Sequence, residues 1–187
     1  MLKIAITGNI ASGKSQVEKI LAVEFPVYDT DKIAHEILNS LDDFYGNDVF
    51  TNGKIDRKKL GVLVFSNPDL KKKLEEIIHP KVKEQLCNIF EKHKSEEFVF
   101  VSVPLLFEAG FEKILDKIIL VTTDENMRIE RSMERDGLTE KEALSRIKSQ
   151  INEAAKVNRA DYVIKNDTDL KTLKLRTDEV ISKIRNL

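Results

Sequence analysis

Lys3-Ile4-Ala5-Ile6-Thr7-Gly8-Asn9-Ile10-Ala11-Ser12-Gly13-Lys14-Ser15 is the stretch that decides the fold. Its first residues are apolar and β-prone and stop at Gly8, while from Lys14 the apolar positions are Val17, Ile20 and Leu21, a helical spacing. A strand, a glycine-bearing loop and a helix therefore follow one another. The loop satisfies G-x-x-x-x-G-K-[S/T]. Gly8 and Gly13 allow backbone angles and a close approach that a β-carbon forbids. Successive N–H groups can then converge on a phosphate, aided by the positive end of the following helix. Lys14 supplies a mobile ammonium for the β- and γ-phosphates of ATP, and Ser15 Oγ is placed to ligate Mg²⁺. Gly8, Asn9, Ile10, Ala11, Ser12, Gly13, Lys14, Ser15 and the adjoining Gln16 are the residues expected against the nucleotide.

Outward from the loop, Pro26-Val27-Tyr28-Asp29 reads as a second short strand, with Asp31 expected to cap the next helix. Residues 31–94 are highly charged and read as mostly helical. They are interrupted by a turn at Asn52-Gly53, a helix start at Asn67-Pro68-Asp69 and a break at His79-Pro80. Phe98 to Val103, Lys117 to Thr122 and Tyr162 to Ile164 are nearly continuous apolar runs. Runs apolar on both faces and separated by helices indicate buried parallel strands covered on each side. The fold class is α/β, a P-loop sandwich of three layers in one domain over residues 1–187, with a helical insert at about 32–95 and a lid at about 124–158.

Composition narrows the partners. The 31 basic and 32 acidic residues nearly cancel, so there is no global field to hold nucleic acid. Trp is absent and aromatics make up 6%, which argues against stacking platforms for single strands. No apolar run approaches a membrane span, and the start of the chain is too short in apolar residues for a signal-peptide core, so a cytoplasmic protein is expected. Cys87 is the only cysteine and is expected to be a small core residue of a helix. A switch GTPase would usually carry N-K-x-D, and none occurs; Asn166-Asp167 lacks that order. A small domain with a helical insert favours phosphoryl transfer to a metabolite, as a monomer or small homo-oligomer.

Several further stretches resemble the dephospho-CoA kinase family in order and spacing. They are Val27-Tyr28-Asp29-Thr30-Asp31, Leu74-Glu75-Glu76-Ile77-Ile78-His79-Pro80, Val103-Pro104-Leu105-Leu106-Phe107-Glu108, Arg131 with Arg135-Asp136-Gly137, and Arg159-Ala160-Asp161-Tyr162-Val163-Ile164-Lys165-Asn166. Gly53 to Arg57, Leu60-Gly61 and Val64 to Pro68 add to the series. The resemblance implies ATP-dependent phosphorylation of the ribose 3′-hydroxyl of dephospho-CoA, with a helical acceptor-binding insert and a closing lid.

It also implies roles, each set beside a plainer one. Asp31 matches the proposed base for the acceptor hydroxyl; alternatively it is an ordinary helix cap. Asp29 could help hold Mg²⁺ through water, since two carboxylates beside phosphates call for a cation. Arg128, Arg131 and Arg135 share one helix face while Ile129 and Met133 pack inward. Arg131 and Arg135 are expected to close over the triphosphate, with Arg135 catalytic beside Lys14; the alternative is a solvated face paired with Glu130 and Glu134. His79 and Glu108 are expected at the acceptor, and Asn166 at the adenine. His35 and His93 show no metal-ligand spacing with His79.

The chain departs from the family pattern in places. Asn9 and Ala11 replace common glycines, and Ala11 is costly only if its φ is positive. Ser102 stands where many members carry an Asp after the strand, and His35 where an Arg is usual. The segment from Asn39 to Asp48 looks short. Two rivals stay open: another small-molecule or nucleoside monophosphate kinase, and a nucleotide-binding regulator without catalysis.

Overall fold

A computed structural model describes residues 1–39, 50–51, 54–55 and 67–186. The chain divides into two compact units, Met1–Tyr28 with Ser95–Leu187, and Asp29–Lys94.

The first unit is built on a sheet of five strands: β1 (Leu2–Gly8), β2 (Val27–Asp29) and three later ones, β5 (Phe98–Ser102), β6 (Lys117–Thr122) and β7 (Tyr162–Lys165). Their spatial order is β2-β5-β1-β6-β7. β1 pairs in parallel with β5 (Ala5 opposite Val101) and with β6 (Ile6 opposite Ile119), and β6 pairs in parallel with β7. The central strands are buried almost throughout, whereas β2 is half-buried and β7 alternates, as edge strands do. Ile4, Ile6, Phe98, Phe100, Ile119 and Val121 form one core cluster with Val17 and Leu21 of α1 (Lys14–Leu21) and Leu173 and Ile184 of α7 (Leu170–Arg185). Alternation along a strand turns Ala5, Val99, Val101 and Leu120 to the opposite face. They are fully buried too, so both faces are covered.

That strand order positions the site. The chain leaves β1 for one side of the sheet and later lays β6 on the other, so β1 is flanked by β5 and β6 where the direction of winding reverses. In open α/β sheets the crevice beyond the carboxyl end of such a strand is where ligands bind. The loop 8–13 leaves β1 at that end and opens α1.

After β6 come α4 (Glu125–Asp136), α5 (Glu140–Lys148) and α6 (Glu153–Val157), the segment expected as a lid. Thr139 caps α5 in a reciprocal capping box with Glu142. Ile129, Ala143 and Ile147 form a small core cluster joining α4 to α5.

The second unit contains α2 (Thr30–Leu38), α3 (Pro68–Lys92) and a two-stranded antiparallel ribbon, β3 (Phe50–Thr51) with β4 (Lys54–Ile55). The ribbon was not legible in a segment read as mostly helical. The turn expected at Asn52-Gly53 lies outside the described residues, as do 56–66 and 40–49. Asn67 caps α3 by accepting from Leu70 N at 3.1 Å, with Pro68 in the first turn, where its missing N–H costs nothing.

Three expectations for this unit need correction. The helix does not break at His79-Pro80; α3 runs on through Pro80. One lost backbone hydrogen bond is tolerated because Ile78, Val82, Leu86 and Phe90, four residues apart, bury a continuous stripe on both sides of it. Cys87 is exposed, since that stripe selects its neighbour Leu86. Asp31 is not the cap of α2. Asp29 is, its Oδ1 accepting from Asp31 N at 2.8 Å, and Asp31 sits in the first turn.

Candidate active site

The loop after β1 is held from behind by the protein. Asn166 Nδ2 donates to Ser12 O at 2.8 Å, and Thr123 Oγ1 lies 2.9 Å from the same carbonyl. Arg131 reaches Ala11 O at 3.5 Å, Thr123 Oγ1 at 3.3 Å and Asn166 O at 3.2 Å. Within the loop Ser12 N donates to Asn9 O at 3.0 Å. Ala11 (φ 59) and Gly13 (φ 85) are both left-handed, and Ala11 is the one non-glycine with positive φ among the described residues. Left-handed residues on either side of one with negative φ turn successive N–H groups toward one side, as a nest for an anion requires. A β-carbon on Gly13 would collide with Asn166 Nδ2, and one on Gly8 would lie 2.7 Å from Val121 O. Ala11 therefore does carry the cost that its sequence position left conditional.

Asn9 Oδ1 and Ser12 Oγ are buried in the loop without a protein hydrogen-bond partner. Both leave hydrogen-bonding capacity that the protein itself does not fill. The other side of the loop meets the segment between α5 and α6: Ile10 N donates to Gln150 Oε1 at 2.6 Å and Asn9 Nδ2 to Ile151 O at 3.2 Å. Lys14 Nζ donates to Glu18 Oε1 at 2.6 Å and to Ser102 Oγ, and Ser102 Oγ donates to Glu18 Oε1 at 2.6 Å. Ser15 lies in the first turn of α1 beside Gln16, whose N–H closes on Gly13 O at 2.9 Å.

The three arginines of α4 share a sequence stripe and have three different fates. Arg131 is part of the loop's support. Arg128 is buried beside Glu125 (3.8 Å) and Glu153 (4.0 Å). Burial pushes the Glu153 carboxyl above its ordinary range, against the pull of Arg128. Arg135 is exposed and bidentate to Asp136, at 2.8 and 2.9 Å. Met133, expected to pack inward, is exposed, while Ile129 is buried. A solvated stripe paired with Glu130 and Glu134 is not the arrangement, since the partners are Glu125, Glu153 and Asp136.

Glu108 lies in the stretch after β5 and pairs at 3.3 Å with Lys156 of α6, whose side chain is fully buried. In the second unit, His79 is half-buried on α3; burial lowers its pKa, with Glu75 pulling it up and Lys83 pushing it down. His35 lies in the last turn of α2, its Nε2 3.4 Å from Asn39 Nδ2. Sequence reasoning missed Thr123, Gln150 and Glu18. Glu18 alone carried a signal, being four residues after Lys14 on one helix face.

A parallel sheet with this loop after its central strand defines a P-loop phosphate-binding fold of the small-kinase type. A shikimate kinase from Bacteroides thetaiotaomicron shares that fold, with a TM-score of 0.62 at 14% identity over 98% of each chain. The dephospho-CoA kinase family model matches residues 2–172, and the chain belongs to that family. It is 42% identical over 178 residues to the dephospho-CoA kinase of Fusobacterium nucleatum, covering 91% of this chain and 92% of the relative. A solved dephospho-CoA kinase from Campylobacter jejuni superposes with a TM-score of 0.75 at 33% identity, over 97% of this chain and 96% of that one.

Proposed function

We propose that this chain transfers the terminal phosphoryl group of ATP to the ribose 3′-hydroxyl of dephospho-CoA, giving CoA and ADP as the last step of coenzyme A biosynthesis. The observation that carries the reading is the braced, concave loop at Gly8–Ser15 in a chain of this family. With its carbonyls tied back to Asn166, Thr123 and Arg131, the loop is organised to receive phosphate oxygens before they arrive, which is how a phosphoryl-transfer site stabilises developing charge.

Lys14 spans the β- and γ-phosphates, leaving Glu18 to do so. Asp31 accepts the proton of the acceptor hydroxyl, a contribution of roughly 10²- to 10⁴-fold for a positioned base. His79 and Glu108 contact the acceptor; Glu108 does so while shared with Lys156. Arg131 reaches the phosphates from its place against the loop, and Arg135 does so once it releases Asp136. Asn166 anchors Ser12 and borders the nucleotide.

The donor set suits Mg²⁺ brought in by the nucleotide. Among the described residues no three His, Cys, Asp or Glu side chains form a metal cluster, while Ser15 offers a hydroxyl at the loop's end and Asp29 a carboxylate for its water. Mg²⁺ is usually held in this way, by few protein oxygens plus phosphates. When bound, it neutralises charge on the β- and γ-phosphates.

We also place the protein in the cytoplasm, as a monomer or small homo-oligomer without nucleic-acid or membrane partners. The balanced charge supports the absence of a nucleic-acid partner, and no described helix is long and apolar enough to cross a membrane. The test is ADP release with dephospho-CoA, nucleoside monophosphates and shikimate offered separately. Turnover with dephospho-CoA is expected; turnover with a nucleoside monophosphate alone overturns the acceptor. Tight ATP binding without turnover on any acceptor favours a regulator.

A further inference from the structure

Ser102 ends β5 beside the central strand, fully buried, and its hydroxyl donates to Glu18 Oε1 at 2.6 Å. Lys14 Nζ donates to both groups, meeting Glu18 Oε1 at 2.6 Å. Loop, helix and neighbouring strand thus close a triangle of ammonium, carboxylate and hydroxyl, with the Lys14 and Glu18 side chains each only 16% exposed. Glu18 is also three residues beyond Ser15, on the same face of α1.

We propose that Glu18, held by the Ser102 hydroxyl, is the positioning residue that couples nucleotide binding to Mg²⁺, through the cation's bound water. The inference rests on the nucleotide-binding reading of the loop. Its first support is charge balance. Lys14 neutralises Glu18 in the triangle, yet the same ammonium is the one that a polyphosphate draws to itself. Once Lys14 turns to phosphate, Glu18 is a mostly shielded carboxylate with one neutral donor, and an uncompensated charge of that kind is costly. A divalent cation at Ser15 Oγ restores the balance from the same helix face. The second support is the residue at 102 itself. An Asp there would set two carboxylates around one ammonium, and like charges at that range disfavour each other. A serine supplies a donor that aims Glu18 and adds no second charge. The helix supplies the carboxylate and the strand supplies its donor.

The test measures ADP affinity by calorimetry, in excess Mg²⁺ and in EDTA. The proteins are wild type, Glu18→Gln, Glu18→Gln/Ser102→Asp and Ser102→Ala, each checked for folding by thermal melting. In Glu18→Gln the tightening produced by Mg²⁺ shrinks by at least about tenfold, while affinity in EDTA is unchanged or higher because Lys14 is no longer held. Moving the carboxylate to position 102 in the double variant restores the Mg²⁺ effect to within about threefold of wild type. Ser102→Ala weakens the effect in the same direction, and it decides the matter should Glu18→Gln fail to fold. A Glu18→Gln protein with the full Mg²⁺ effect, or one that loses affinity equally with and without Mg²⁺, overturns the proposal, as does a double variant that stays uncoupled. Absence of ADP binding by the wild type would instead bring down the nucleotide-binding reading.

Discussion

Replacing Gly13 by alanine tests the geometry of the loop most directly. Gly13 has φ 85, and an added β-carbon would collide with Asn166 Nδ2. Holding an alanine in the left-handed region costs about 1–2 kcal/mol. Asn166 must also swing off Ser12 O, losing a buried hydrogen bond worth about 1–2 kcal/mol. The sum is about 2–4 kcal/mol, which for a chain of this length lowers Tm by about 5–15 °C. Asn166→Ala removes the obstacle together with the same bond, so alone it costs about 1–2 kcal/mol. The two changes share one loss, and the double variant falls by about 2–4 kcal/mol instead of the additive 3–6. Chemical denaturation of all four proteins, with thermal melting alongside, reads the cycle. Additive losses would show that Asn166 is not what Gly13 makes room for, and the account of the braced loop would fail.

Asp31→Asn keeps ADP affinity and lowers kcat by at least about 10²-fold if Asp31 is the base, and near-normal turnover in steady-state assays would remove it from that role. Glu108→Ala leaves the fully buried Lys156 ammonium without the carboxylate at 3.3 Å, a loss of about 3–5 kcal/mol by thermal and chemical unfolding. Adding Lys156→Met recovers most of it, and a single variant as stable as wild type would refute the pair's importance. Asp167, bound by Arg176 at 2.6 Å and by Lys165 at 2.9 Å, has its carboxyl pulled down to about 2. Its folded pKa lies below the unfolded one, so its stabilisation is present above the ordinary carboxylate range and is lost as pH falls through about 2. Asp167→Asn therefore narrows the gap to wild type in Tm as pH drops from about 4 to about 2, and a constant gap would contradict the assignment.

Local chemistry was readable directly. Residues 3–15 announce a strand, a nest and a helix because most requirements are met within a few bonds: glycine at the positive-φ position before the helix, apolar residues at the helical period, and a lysine and a serine at the helix start; only Ala11, also at positive φ, departs from the rule. The apolar runs at 98–103 and 117–122 were equally plain, because strands covered on both faces need no alternation; 162–164 is a strand too, but an edge one with Val163 exposed, not the strand covered on both faces that its apolar run suggested. Asn67-Pro68 signalled the start of α3 through the same kind of short-range bonding. Where two readings satisfied the local rules equally, the sequence was silent. Leu86 and Cys87 are adjacent and both apolar, and only the facing surface selects one of them. Asp29 and Asp31 can each cap a helix, and the turn geometry chose Asp29. Pro80 is a breaker by propensity, yet the packing of the residues around it carried the helix through.

What the sequence alone determined is the loop, the strands that carry it and the family to which their order points. Tertiary structure decided which strand lies in the middle, which of three arginines on one helical stripe supports the loop, and that Glu18 meets Ser102 from 84 positions away. Backbone preference and hydrophobic period act over a few residues and are written into them. The partner of a charged side chain is whatever group the packed sheet and helices bring within about 3 Å, and no local pattern encodes that.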